Sequence, residues 1–438
     1  VPTKRKNILL VSFDDATAFW PYKTAFGEAL QTPNLDRICE HATAFTSAYC
    51  QAPICGPSRS SFMSGRTPHQ LGIFDNYTDV FDTVETRSMW PYRLKENGFF
   101  CSSGGKVHHR YKPVRRVFHN ILYSDAQKRF GSDMNLPPDL EKQNFGGNRG
   151  GWSTTNEKDD DIYYDHKSAE SAISFLDDYD DDAPFYREVG FYSPHGPHYT
   201  PVRFKQMYNP RRITRPDVWD GGFDYNEFTT SRLPENEHIK SGNLRWWRNS
   251  VRNYFSAYSH GDYHLGRVWD ALQASRHADN TVVVIVSDHG FHLGNRNRYM
   301  KTTLWEQVAS VPMIIYDPDR REGRQVDDPV ALLDVGPTVL DYAELPPLDD
   351  CVGRSLRPQV EGASDPDRAV ATVYHNNVAI RKGDYRIIWY EDGSTQLFDL
   401  TDDFWQLNNL GEDHPAFDTM YAALAETGVE YGFTVPAR

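Results

Sequence analysis

Cysteine is scarce in this chain, with five residues in 438. That is too few for a disulfide-stapled scaffold, and the odd count leaves one thiol to be explained on its own. Long apolar runs are missing too. The longest, Val282 to Val286, falls far short of the ~20 residues a membrane-spanning helix needs. Positive charge is in deficit: 47 Lys and Arg stand against 61 Asp and Glu, a formal net charge of −14. This balance excludes a nucleic-acid or anionic-membrane binder that works by bulk attraction, but it leaves room for a local basic pocket. No internal repeat is found. No apolar signal-peptide core precedes the first strand, since Val1-Pro2-Thr3-Lys4-Arg5-Lys6 leads straight into it. The expectation is a cytoplasmic protein, the alternative being a periplasmic or secreted one whose signal peptide has been removed. What the chain does have is apolar and aromatic content, 39% and 13%. That is enough for a sizeable core and excludes general disorder.

The order of elements points to an α/β fold. Asn7 to Phe13 is an apolar, β-branched run that ends in Asp14-Asp15 and reads as a buried strand. Thr32 and Pro33 read as N-cap and first residue of a helix to about His41. Further helices are expected over Ser58 to Ser64, Met89 to Asn97, Asp165 to Tyr179 and Val251 to Ser275. Strands are expected over Phe45 to Tyr49, Phe185 to Tyr192, Thr281 to Ser287 and Val311 to Tyr316. The alternation implies a mostly parallel central sheet flanked by helices. Stretches 110–160 and 194–245 read mainly as long loops. After about Gly362 the texture changes to short strands at Val370 to Tyr374, Val378 to Lys382, Tyr385 to Tyr390 and Gln396 to Leu400, followed by a helix over Ala416 to Glu426. A catalytic α/β domain over 1–362 and a smaller antiparallel subdomain over 363–438 are therefore expected. No feature bears on oligomeric state.

Two acidic clusters end strands of that sheet, Asp14-Asp15 and Asp288-His289. Ligands of open α/β sheets bind at that edge. Three carboxylates and an imidazole converging there would repel one another without a divalent cation, and hard oxygen donors favour Ca²⁺ or Mg²⁺ over Zn²⁺. Taken singly, Asp14-Asp15 could equally close a turn and Asp288-His289-Gly290 cap a helix. A third feature is Cys55-Gly56-Pro57-Ser58-Arg59, continued to Arg66. A Cys just before a helix N-terminus sits in a positive field that lowers its pKa. The plainer alternative is a small core residue. Arg59, one turn further on, could steady a negatively charged ligand or nucleophile.

Cys55-x-Pro57-Ser58-Arg59 with Met63-Ser64-Gly65-Arg66 resembles the signature of type I sulfatases in the alkaline phosphatase superfamily. The resemblance continues through Asp14-Asp15, Gly105-Lys106-Val107-His108-His109, Ser193-Pro194-His195, Asp288-His289-Gly290, Lys301, Leu397-Phe398-Asp399-Leu400 and Asn408-Asn409-Leu410, and so spans nearly the whole chain. Thr32 to Arg37, Lys106-Val107 with His109, and Pro194-His195-Gly196-Pro197 resemble the iduronate-2-sulfatase-like branch. Gly56 departs from the family's usual Ala or Thr. The resemblance implies hydrolysis of a sulfated sugar, acting from a chain end. It implies a formylglycine nucleophile made from Cys55 by a formylglycine-generating enzyme. It assigns a metal, Ca²⁺ ahead of Mg²⁺, to Asp14, Asp15, Asp288 and His289. Arg59 would stabilise the nucleophile, Lys106 and Lys301 would clamp sulfate oxygens, and His195 would protonate the leaving oxygen. Either His108 or His109 could release sulfate; the branch favours His109. Arg110, in a basic stretch reaching Arg116, is a candidate contact for a second anionic group, with a solvated loop as the alternative. The rival activity is hydrolysis of phosphonate monoesters or phosphodiesters. A fold-retaining, non-catalytic binder is disfavoured because every expected position is filled.

Overall fold

The first apolar run forms β1 (Asn7–Asp14), and its side chains divide by the two-residue period of a strand. Leu9, Val11 and Phe13 enter one hydrophobic core, while Ile8 and Leu10 enter another. β1 is thus buried on both faces, inside a three-layer body. The computed structural model describes residues 5–110, 113–131, 139–148 and 151–438. Its main sheet adds β2 (Thr43–Tyr49), β3 (Phe100–Gly105), β4 (Phe185–Pro194), β5 (Thr281–Ser287), β6 (Ser310–Tyr316) and β7 (Arg324–Val326), in the order β7-β2-β6-β5-β1-β4-β3. A short β8 (Val330–Ala331) also pairs with β2. β1 runs parallel to β4 and β5, and β3 runs parallel to β4. β6 is antiparallel to both its neighbours. The mostly parallel sheet expected from the sequence is what forms.

Both faces are covered by α1 (Pro33–Cys39), α2 (Cys55–Ser64), α3 (Trp90–Glu96), α4 (Tyr164–Asp178), α5 (Leu244–Ala274) and α6 (Val335–Tyr342). α1, α4 and α5 pack on the side of Phe13; α2, α3 and α6 pack on the side of Ile8. No helix among the described residues is long and apolar enough to cross a membrane.

Beyond the body, β9 (Ala369–Tyr374), β10 (Asn377–Lys382), β11 (Tyr385–Trp389) and β12 (Thr395–Asp399) form an antiparallel meander, followed by α7 (Phe417–Tyr431). Gly383 and Gly393 supply the positive φ of two of its turns. We propose the division between units at 362/363 on this change of sheet. The apolar cluster under the meander also takes in Tyr49, Ala309, Ala331 and Leu333 of the body.

Several local expectations are corrected. Thr32 does not cap α1 with its side chain. Its hydroxyl accepts from Lys23 instead, at 2.7 Å. The first amides of α1 are taken by Asp262 of α5, which accepts from Asn34 N at 3.0 Å and Leu35 N at 2.7 Å. α2 begins at Cys55 rather than Ser58, because Pro57 lies in the first turn, where its missing N–H has no partner to lose. α5 begins at Leu244, capped by Asn243, so it starts inside a stretch read as loop. Within the two long loops, Lys142–Asn144, Trp152–Thr154 and Thr200–Pro201 make a small sheet. Tyr111 and Lys112 of the basic stretch lie outside the described residues.

β3 was not expected at all, and its composition, Phe-Cys-Ser-Ser-Gly-Gly, explains why: glycine in a strand reads against it. The small residues serve close packing. A Cβ on Gly105 would sit 1.9 Å from the Gly190 carbonyl oxygen, and one on Gly190 would sit 2.2–2.3 Å from the Lys106 backbone. Strand β4 is thereby pressed against the base of Lys106. Gly190→Ala should cost at least the ~1–3 kcal/mol typical of overpacking, read as a lower midpoint in chemical denaturation; an unchanged midpoint would contradict this packing.

Candidate active site

β1, β3, β4 and β5 end at one edge of the sheet, and α2 starts there. The edge gathers Asp14 and Asp15 after β1, Lys106 after β3, His195 after β4, Asp288 and His289 after β5, and Cys55 at the first position of α2. Asp15 leaves the strand with φ 63°, a left-handed turn. The turn is held by Asp15 N donating to Asp288 Oδ1 at 3.1 Å and by Tyr254 Oη donating to the Asp15 carbonyl at 2.6 Å.

Arg59 is the centre of the arrangement and is fully buried. Nε donates to Asp288 Oδ2 at 2.9 Å. Nη1 donates to Ser12 Oγ at 3.1 Å and to the carbonyls of Lys106 and Val107, both at 3.0 Å. Nη2 donates to the Phe13 carbonyl at 2.9 Å and reaches Asp14 Oδ1 at 3.5 Å. With every nitrogen so engaged, Arg59 meets Cys55 through its charge and not through a hydrogen bond. Its hydrogen bonds instead fix the acids and the Lys106 segment. Burial works against its charge, but Asp288 and Asp14 outweigh burial and raise its pKa.

Lys106 ion-pairs with Asp14, and both side chains are buried. Lys301 lies 2.6 Å from Asp15 Oδ1 and 2.9 Å from Cys55 Sγ. Burial disfavours ionised Asp14 and Asp15. Burial is the largest single influence on each, but the surrounding cations together outweigh it, led by Lys106 at Asp14 and by Lys301 at Asp15 with His195 next in both cases, and both carboxyls are held below their usual range. Lys301 is correspondingly raised: Asp15, Cys55, Asp14 and Asp288 together overcome its burial.

His289 Nδ1 lies 2.9 Å from the Gly290 carbonyl oxygen, an acceptor, which places the proton on Nδ1. The lone pair of Nε2 then faces Cys55 Sγ at 3.3 Å, Asp15 Oδ1 at 3.4 Å and Asp288 Oδ2 at 3.7 Å. Ligand atoms of Asp15, Cys55 and His289 lie within 4.8 Å of one another, as do those of Asp14, Cys55 and Asp288. Three carboxylates and one imidazole with its lone pair inward fit a hard divalent cation. The thiol does not add a soft anionic ligand. Burial, opposed by Lys301 and Lys106, pushes Cys55 up to about 12. The lowered thiol pKa expected at a helix N-terminus is thus overturned by burial.

His195 Nε2 stands 4.0 Å from Asp15 Oδ2, and burial lowers its pKa. The two neighbouring histidines part company. Burial and then Lys106 push His109 down to about 3, and the charges of Asp14, Arg59 and Lys301 also reach it. His108 turns away: its Nε2 meets Tyr123 Oη at 2.8 Å, and Tyr123 in turn donates to Glu188. His108 is thus buried and anchored to the Tyr123–Glu188 pair. Arg110 is exposed and donates to the Tyr77 carbonyl at 2.7 Å. With His109, Asp82 and Arg115 it lines a cleft of about 320 Å³, in which Arg115 is paired with Asp82.

Other contributors were not assigned a role from the sequence. Ser58 Oγ donates to the Asp288 carbonyl at 2.5 Å. Asn76 Oδ1 accepts from Gly56 N at 2.7 Å, and a Cβ on Gly56 would meet that oxygen at 2.8 Å, so this loop accounts for glycine there. Asp165, at the start of α4, is buried and accepts from Tyr192 N at 2.5 Å and Ser193 N at 3.2 Å. Burial pushes it up to about 6.

The chain is similar to known proteins along most of its length. The model of the sulfatase family matches residues 6–345, and that of the N-sulphoglucosamine sulphohydrolase C-terminal region matches residues 294–429. A sulfatase of Formosa agariphila is 30% identical over 426 residues, 91% of this chain and 82% of that protein. Mouse (Mus musculus) iduronate 2-sulfatase is 27% identical over 78% of this chain and 70% of its own length. A solved structure in complex with its substrate D-glucosamine-2-N,6-O-disulfate superposes with a TM-score of 0.78 at 21% identity, covering 98% of both chains. With the family model covering most of the chain and the acidic, basic and imidazole groups meeting around Cys55, the chain belongs to the sulfatase family of sulfuric ester hydrolases.

Proposed function

We propose that the protein removes sulfate from a sulfated sugar, acting at a chain end, with a formylglycine made from Cys55 as nucleophile and Ca²⁺ held by Asp14, Asp15, Asp288 and His289. The observation that carries this reading is the convergence on one sulfur atom: Lys301 at 2.9 Å, His289 at 3.3 Å and Asp15 at 3.9 Å from Cys55 Sγ. The buried thiol, pushed up to about 12, is a poor nucleophile at neutral pH. A hydrated aldehyde would offer a hydroxyl oxygen at the same place. A bound cation would offset the three carboxylates and polarise the ester's sulfuryl oxygens.

The chain's own groups account for the rest. Lys106 and Lys301 present fixed ammonium groups to the sulfuryl oxygens. His195 donates a proton from Nε2 to the departing sugar oxygen; burial works against its protonated form, and the neighbouring carboxylates of Asp15 and Asp14 favour it. His109, held neutral by burial, is in the form that accepts a proton as sulfate is released. Arg59 holds Asp14 and Asp288 in place throughout. The cleft beside His109 and Arg110 is the natural bed for the rest of the sugar.

Mass spectrometry of the Cys55 peptide from active protein should show the aldehyde; an unmodified thiol in fully active protein overturns the nucleophile assignment. Lys106→Ala should lower kcat on an aryl sulfate by about 10²–10³-fold, the loss typical of one fixed donor to developing charge. Unchanged turnover removes Lys106 from the clamp. Ca²⁺ at about a hundred times its dissociation constant should add about 2.7 kcal/mol of stability, seen as a raised Tm. Asp288→Asn should abolish that rise. A panel of sulfated sugars, a small alkyl sulfate and an aryl phosphonate tests the substrate class. Faster turnover of the phosphonate or of the alkyl sulfate would overturn the sugar assignment.

A further inference from the structure

His195 sits on backbone that has left the sheet. The pairing of β3 with β4 ends at Gly105 and Gly190. On the other side, β1 pairs Ser12 with Gly190 and then jumps to Asp14 with Pro194. Between those points Asp165 of α4 supplies what a neighbouring strand would: its carboxylate accepts the N–H of Tyr192 at 2.5 Å and that of Ser193 at 3.2 Å. One turn along α4, Ser168 Oγ donates to the Gly190 carbonyl at 2.8 Å. The segment then folds back on Tyr192. His195 N donates to the Tyr192 carbonyl at 3.0 Å, and Tyr192 Oη donates to the Gly196 carbonyl at 2.7 Å. The Tyr192 ring stands edge-on to the His195 imidazole, with 5.3 Å between centroids.

Asp165 is 1% exposed. Its stabilising hydrogen bonds come from Tyr192 and Ser193 and not from a basic side chain. Burying a carboxylate on such terms is costly, and the burial raises its pKa to about 6. A carboxamide of the same shape would bring an NH₂ against one of the two amides it now accepts from.

We propose that Asp165 is a positioning residue for His195, holding the Tyr192–Gly196 backbone so that the imidazole meets the leaving oxygen. This rests on the assignment of His195 as proton donor. It predicts a defect graded by leaving group, because an acidic phenol departs without a proton and a basic alcohol does not.

The test is kcat/KM over a series of sulfate esters, from 4-nitrophenyl sulfate to alkyl sulfates, for the wild type, Asp165→Asn, His195→Ala and the double variant. Asp165→Asn should stay within about two-fold of wild type on 4-nitrophenyl sulfate and lose at least about ten-fold on the poorest leaving group, part of the 10²–10⁴ that a general acid supplies. His195→Ala should show the same trend more steeply, and the double variant should be no worse than His195→Ala, as for two residues acting through one step. If Asp165→Asn slows all esters by one factor while His195→Ala steepens the trend, Asp165 is structural only and the inference falls alone. If His195→Ala leaves the trend unchanged, the proton-donor assignment falls and takes the inference with it. Should Asp165→Asn not fold, Tyr192→Phe takes away the hydroxyl that donates to the Gly196 carbonyl and must show the same graded loss in milder form; a uniform loss there counts equally against the proposal.

Discussion

The buried guanidinium of Arg59 is the constraint on which the rest of the structure depends. It joins the end of β1, the end of β5 and the start of the Lys106 segment to the second turn of α2. Three of its acceptors are main-chain carbonyls at or just beyond strand ends, where the ladder no longer supplies donors evenly. Lysine could not take the place of this fork, having three donors on one nitrogen and no planar geometry. Removing a partner from such a buried ionic cluster typically costs about 3–5 kcal/mol, because the acids left behind remain out of water. The same contacts set the chemistry: they fix the spacing of Asp14 and Asp288 before any ligand arrives.

Charge at the site is balanced locally and is almost independent of the surface. The protein carries a formal net charge of −14, yet Asp14, Asp15 and Asp288 are met by Arg59, Lys106 and Lys301 within one buried cluster. Long-range attraction of an anionic ester is therefore weak, and its recognition falls to short contacts in a water-poor site, where each is worth more. Burial accounts for the shifts of the neutral groups: it raises the Cys55 thiol and lowers His109 and His195.

Legibility in the sequence followed how local each determinant is. Apolar runs with clear period gave β1 and β5, and with them the acids at their ends; the Cys55–Arg66 stretch, with its ordered companions, announced the family. β3 escaped notice because its glycines answer to Gly190 and Arg187, which lie about 85 residues on. The capping of α1 by Asp262 and the start of α5 were hidden for the same reason, since partners distant in sequence decide them. His108 and His109 could not be separated by spacing alone. Only the Tyr123–Glu188 pair, across the segment, shows which one turns inward to the core.

The departure at Gly56 joins these themes. Small residues recur wherever backbone must approach the reactive edge: Gly56 against Asn76, Gly105 against Gly190, Gly290 against the Gln307 carbonyl. Each gives up side-chain packing and gains chain entropy when unfolded, so each lowers stability on its own. In return, main-chain groups reach positions that side chains would occupy, as where Gly290 lends its carbonyl to His289 Nδ1. The rigidity lost by omitting side chains is restored by buried polar contacts such as those of Arg59 and Asp165. The site is thus built from backbone brought unusually close and then locked by a few buried charged groups.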